Sequence, residues 1–165
     1  MQIRLAAAAD AGALRDLRLR ALLDSPDSFG PTHAQAVAEP DAYWQHWASG
    51  GAGRFIVLLA FDGAGGPVGL VSGSVRGPGE GGFGALWVAP EARGSGLGRR
   101  LVEVVCKSLE ARGCTRITLS VTEGNPAERL YESLGFVRTG ERHPLREGSP
   151  LSEVTMAREP PSGAG

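Results

Sequence analysis

The sequence predicts one domain of the α/β class, and three observations predict it. Apolar runs at residues 55 to 61, 68 to 75 and 83 to 88 follow one another across glycine-rich turns, as the strands of a meander do. From residue 94 the period changes to helix, strand, helix, strand. The chain of 165 residues is one domain's length, enough to bury roughly 70% of its unfolded surface in a single core.

Taken in order, Asp10 can cap a first helix with Leu14, Leu17, Ala21 and Leu22 on one side and Arg15, Arg18 and Arg20 elsewhere. The breaker cluster Asp24-Ser25-Pro26-Asp27-Ser28 ends it. A second helix opens at Pro40-Asp41, carries Tyr43, Trp44 and Trp47, and closes at Gly50-Gly51. The strand at 55 to 61 reads as buried on both faces, and Asp62-Gly63-Ala64-Gly65-Gly66 has hairpin-turn chemistry. Leu97, Leu101, Val105 and Leu109, with Val102 and Cys106 beside them, make an amphipathic helix that Gly113 stops. Ile117, Leu119 and Val121 alternate with Thr118, Ser120 and Thr122, which is strand patterning.

Asn125-Pro126-Ala127-Glu128 has the positions of a capping box, and Ala127, Leu130, Tyr131 and Leu134 then form a helical stripe ended by Gly135. Short strands are predicted at 136 to 139 and 151 to 156. The domain is expected over residues 1 to 158, with a disordered tail over 159 to 165.

Composition excludes several function classes. The net charge of -1 speaks against a broad nucleic-acid surface and against a polybasic membrane anchor. Cys106 and Cys114 have neither Cys-x-x-Cys spacing nor a third partner, and His33, His46 and His143 are scattered, so no metal site is expected. No stretch is long and apolar enough for a signal or a membrane span, and a cytoplasmic protein is the expectation.

The sharpest chemical signal is Val88-Ala89-Pro90-Glu91-Ala92-Arg93-Gly94-Ser95-Gly96-Leu97-Gly98-Arg99-Arg100. A strand ends there and glycines lead into a helix N-terminus. Such a turn lets main-chain N–H groups approach an anion, and the arginines add guanidinium groups for phosphate oxygens. This is the chemistry of a pyrophosphate cradle. It is not a Walker loop, because Arg99-Arg100 stands where Lys-Ser or Lys-Thr would be needed. Gly94, Gly96 and Gly98 also miss the third spacing of the dinucleotide fingerprint, although Glu123 closes the next strand as that fingerprint requires.

Arg93-Gly94-Ser95-Gly96-Leu97-Gly98, preceded by Val88-x-Pro90, resembles the Q/R-x-x-G-x-G/A signature of the GNAT superfamily of N-acetyltransferases. A second match, Asn125, Ala127, Leu130-Tyr131 and Leu134-Gly135-Phe136, follows in the right order after one helix and one strand. The resemblance covers most of the chain. It implies a mixed, mostly antiparallel central sheet flanked by helices, splayed between its fourth and fifth strands. Acetyl-CoA would lie in that splay as the acetyl donor. Main-chain groups of Trp87 and Val88 would hold the pantetheine arm, Arg93 would open the cradle, and the amides from Gly94, Ser95, Gly96, Leu97 and Gly98 to Arg99 would hold the pyrophosphate. Asn125 and Ala127 would line the splay, and Tyr131 would point at the sulfur as general acid.

The implied reaction is direct attack of a primary amine on acetyl-CoA in a ternary complex, with no metal. The acceptor stays open between a small-molecule amine and a protein amine, as does homodimerisation. Many relatives place a glutamate early in the strand before the cradle; here Gly81-Gly82 stands there. Glu80 is the nearest candidate base, with Glu123 and Glu153 as further acids, and a water chain or a low-pKa amine would also serve. That departure keeps a non-catalytic acyl-CoA-binding or sensor domain as the alternative. The acceptor side is expected from residues 24 to 30 and from a loop at 141 to 150.

Overall fold

Apolar runs bounded by glycine turns become the centre of a seven-stranded sheet, with strand order β1-β2-β3-β4-β5-β7-β6. The structure is a computed structural model and describes residues 1–159. In chain order the elements are β1 (Gln2–Leu5), α1 (Ala11–Asp24), α2 (His33–Val37), α3 (Asp41–Ala48), β2 (Phe55–Phe61), β3 (Pro67–Gly77) and β4 (Glu80–Val88). They continue with α4 (Leu97–Ala111), β5 (Arg116–Thr122), α5 (Ala127–Ser133), β6 (Val137–Pro144) and β7 (Ser152–Arg158). Every neighbouring pair is antiparallel except β4 and β5. The mixed, mostly antiparallel sheet is therefore the one expected.

Two details of the sheet create the site. The parallel pairing of β4 with β5 stops at Gly82 and Thr118, although β4 runs on to Val88 and β5 to Thr122. Beyond that point each strand is held only by its outer neighbour, β4 by β3 and β5 by β7, so the sheet opens into a V. The second detail is a bulge. Leu70 pairs with Trp87 and Ser72 with Gly84, which leaves Ala85 and Leu86 opposite the single residue Val71. Ala85 sits there at φ +57, a left-handed conformation that costs a non-glycine residue about 1 kcal/mol or more.

The core is formed by α4 against β3 and β4, with α1 and α3 packed together and against the β2–β3 part of the sheet. Leu97, Leu101, Val102, Val105, Cys106 and Leu109 are buried, the stripe read from their spacing. Burial also pushes the Cys106 thiol up to about 11, so it stays a protonated packing group.

Several expectations are corrected. β1 and α2 were not anticipated; β1 is an edge strand without alternation, and α2 is a short helix capped by Thr32 and Gln35. β6 runs to Pro144 rather than ending at residue 139, because it is an exposed edge strand with no buried face to pattern it. Asp10 does not cap α1. Its carboxylate takes Arg4 at 2.8 and 2.9 Å and the Ala7 amide, and these hold it below the usual carboxylate range. Glu128 does not close a capping box, since Arg138 takes both its oxygens at 2.6 and 2.9 Å. Arg18 is buried instead of solvated. Of the expected tail, Glu159 is described and pairs with Arg116; residues 160 to 165 lie outside the described residues. No helix of the described residues is long and apolar enough to cross a membrane.

Candidate active site

The V between β4 and β5 is a cleft of about 270 Å³. Its walls are Phe83 to Val88 on one strand and Leu119 to Val121 on the other, and its far side is closed by Asn125, Ala127 and Tyr131. Ser25, Ser28 and Phe29 reach it from the segment after α1, the segment expected to line the acceptor side.

At the mouth of the cleft, Gly94 and Gly96 have φ of +81 and +79, which only glycine adopts without strain. Their conformation leaves the amides from Gly94 to Arg99 without any hydrogen-bond acceptor among the described residues; the next amide, Arg100, returns to the Gly96 carbonyl at 3.1 Å. Consecutive free N–H groups at the start of a 15-residue helix make an anion site built from main chain. The side chains contribute less than the sequence suggested. Leu97 is buried, and the Ser95 hydroxyl donates to the Ala92 carbonyl at 2.7 Å. The Arg99 guanidinium is held by Glu103 at 3.3 Å and by Ser133 at 3.0 Å. Arg100 makes no ion pair among the described residues.

Arg93, expected to open the cradle, lines the cleft. Its guanidinium donates to Asp24, at 2.6 Å, and to the Val88 carbonyl, at 3.0 Å. The Trp87 indole N–H donates to the same Asp24 oxygen at 3.1 Å. Arg93, the adjacent Ser25 hydroxyl and Trp87 together pull the Asp24 carboxyl down to about 2. One ion pair thus ties the end of α1 to the end of β4, and it occupies a carbonyl of Val88 expected to be free.

Asn125 is likewise engaged. Its Oδ1 accepts the Ala127 amide at 2.9 Å, and its Nδ2 donates to Ser28 Oγ at 3.1 Å. It takes the first amide of α5 in an Asx turn and anchors the segment after α1 in one move. The expected loop at 141 to 150 lines neither this cleft nor the cavity across β4. It acts through Arg146, which donates to the carbonyls of Pro26, Phe29 and Gly30 at 2.7 to 3.0 Å and so pins the same segment.

Residues 18–136 match the family model described as the Acetyltransferase (GNAT) family. The chain belongs to that family. A curated relative, mycothiol acetyltransferase of Thermobispora bispora, is 42% identical over 78 residues, which is 47% of this chain and 22% of that protein. The chain thus matches only about a fifth of that relative's length. Among solved structures, a GNAT-family acetyltransferase from Streptococcus pneumoniae superposes with TM-score 0.82 at 24% identity, covering 96% of this chain and 99% of that one. A Salmonella typhimurium protein solved with its cofactor acetyl-CoA has TM-score 0.79 at 22% identity, covering 100% and 96%.

Within this GNAT fold, Tyr131 stands apart from an ordinary core tyrosine. Its ring is 7% exposed and packs edge-on to Phe83 and Phe136, at 6.0 and 6.3 Å between centroids. Its hydroxyl has no hydrogen-bond partner among the described residues, and the residue lines the cleft. Burial pushes its pKa up, so the hydroxyl keeps its proton at neutral pH. The acids fare differently. Glu80 begins β4 where β4 is still paired with β5, opposite Arg116, and lines no part of the cleft. Glu123 is taken by Arg138 and Arg142. Glu153 is raised by burial beside His143 and also stands outside the cleft.

Proposed function

We propose that the protein is an acetyl-CoA-dependent N-acetyltransferase that moves the acetyl group to a primary amine by direct attack in a ternary complex. The observation that carries this reading is Tyr131: a buried ring whose protonated, unpartnered hydroxyl is not itself sealed from the cleft it lines. The unpaired amides from Gly94 to Arg99 fit a pyrophosphate, and the open V beside Trp87 and Val88 fits an extended arm. Bound there, acetyl-CoA supplies an activated acetyl thioester. Tyr131 holds a proton for the departing sulfur, and its low-dielectric setting keeps that proton on oxygen until it is needed. No carboxylate lines the cleft among the described residues, so the attacking amine loses its proton to water or arrives neutral. The same absence favours, as a second reading, a domain that binds acyl-CoA without turnover.

The Tyr131→Phe variant separates the readings, because it keeps the ring and deletes only the donor. We expect kcat to fall by about a hundredfold or more, with acetyl-CoA affinity and Tm nearly unchanged. A packing tyrosine would leave turnover intact. Wild-type protein that binds acetyl-CoA yet releases no CoA thiol with any amine of a broad panel would support the binding-domain reading.

A further inference from the structure

Across β4 from the cleft lies a second cavity, of about 420 Å³, within the size range of small-molecule sites. Arg18 of α1 reaches into it. This residue is 9% exposed, its Nη1 has no hydrogen-bond partner, and none of its nitrogens donates to any group among the described residues. No carboxylate pairs with it there. The guanidinium instead lies over the rings of Phe29 and Trp47, at 4.9 and 5.9 Å. A guanidinium cannot escape burial by shedding its proton near neutral pH, so an ion is held out of water with its donors unmet. Such an arrangement costs several kcal/mol unless an anion or a ligand oxygen completes it.

The rest of the cavity agrees with an anionic ligand that has an apolar body. Arg54 stands at its rim as a second cation, and no aspartate or glutamate contributes to its wall. Tyr43, Trp47 and Phe55 supply aromatic surface. Gly84 and Ala85, at the start of the β4 bulge, line both this cavity and the cleft, so the cavity meets the cleft beside the strand that forms its wall.

We infer that this cavity is the acceptor site and that Arg18 binds a carboxylate of the acceptor, which makes the acceptor a small amine of the amino-acid class with an apolar side chain. A single deep, planar guanidinium matches a carboxylate in a two-bond fork, and the aromatic rings take the side chain. The acceptor role rests on the acetyltransferase reading above; the carboxylate site does not. Arg18 acts as a specificity residue and need not touch the reacting carbonyl.

The test uses the full chain without acetyl-CoA and follows the Trp47 indole N–H by NMR, a group inside the cavity that donates to Ser72 Oγ at 3.0 Å. The probes are 3-phenylpropionate, its neutral amide 3-phenylpropanamide, and inorganic phosphate. We expect a saturable shift with the carboxylate, at least about tenfold weaker binding of the amide and of phosphate, and loss of that preference in Arg18→Gln. Should Arg18→Gln not fold, Arg54→Gln, an exposed change, is expected to weaken the carboxylate several-fold. Equal binding of carboxylate and amide, tighter binding of phosphate, or no saturable shift overturns the inference.

Turnover of L-phenylalanine against phenethylamine then distinguishes the two claims, with at least about tenfold higher kcat/KM expected for the amino acid. Equal or better use of phenethylamine overturns the acceptor assignment and leaves acetyl transfer standing. Carboxylate binding with no CoA release from these two amines or from any amine of the broad panel supports the site and overturns acetyl transfer.

Discussion

The donor side and the acceptor side of β4 are built on different principles. The cradle from Gly94 to Arg99 is main chain presented by local sequence: two left-handed glycines and a helix N-terminus, all within a few residues. The cavity beyond the bulge is side chain, assembled from α1, α3, β2, β3 and β4 over more than sixty residues of chain, from Arg18 to Ala85. A site made of consecutive amides can be read from a short motif and tolerates change around it. A site made of dispersed side chains leaves no motif and can be re-specified by single substitutions. The donor half is thus the generic part of the molecule and the acceptor half the individual one.

The largest expected effect breaks the donor half through its main chain. Gly96→Val puts a β-branched residue at φ +79, where a Cβ would meet no protein atom within 4 Å. The fold should survive at a backbone cost of about 1–2 kcal/mol. Acetyl-CoA at about a hundred times its dissociation constant should add roughly 2.7 kcal/mol to the wild type and almost nothing to the variant. Undiminished protection of a folded Gly96→Val protein would remove the pyrophosphate from this turn. By the same comparison, loss of Arg93's charge should matter less to donor binding than its place in the motif suggests, since Asp24 already holds it.

What the sequence disclosed follows the same division. The meander, the α4 stripe and the glycine turn were legible because each is periodic or local. Arg18 was not, although a signal existed: Leu14, Leu17, Arg18, Ala21 and Leu22 fall at i, i+3, i+4, i+7 and i+8, so the arginine stands within the apolar stripe. Assigning it to solvent by residue type overrode its position. The Ala85 bulge had no sequence signal, because an alanine replaces the glycine that usually marks such a conformation. Arg93 was legible as part of the motif, but its ion pair was not. Its partner lies 69 residues earlier, and only the docking of α1 beside β4 brings them together.

That docking gives a smaller, pH-dependent prediction at the boundary between the halves. The Asp24 carboxyl is held at about 2 in the folded protein against 3.8 without its partners. A depressed carboxylate contributes stability that is present above the unfolded value and lost as pH falls through the folded one. Asp24→Asn should therefore lower Tm at neutral pH by an amount that stays level down to about pH 5, shrinks below that, and vanishes only as pH falls below about 2. Thermal melts of both proteins across that range check it. A gap that persists unchanged at the acid end would mean the ion pair with Arg93 is not what joins α1 to β4.

The smallest expected effect concerns Glu80, the acid nearest in sequence to the place where many relatives keep a base. It stands three positions before Phe83 along the strand, a distance of about 10 Å, and it lies on the paired side of the point where β4 and β5 part. The intervening Gly82 carries no side chain, and the exposed Arg76 guanidinium lies over it. A cation thus stands over the position where a base would be expected. General-base catalysis contributes about a hundredfold to ten-thousandfold, so a true base would announce itself on removal. Glu80→Gln is expected to leave kcat/KM within about twofold of the wild type and the shape of its pH profile unchanged. A loss of a hundredfold, with a missing acidic limb, would instead require β4 to rearrange when the donor binds. The V would then be a state of the sheet before donor binding, and the division between a fixed donor cleft and an adaptable acceptor cavity would fail at its dividing strand.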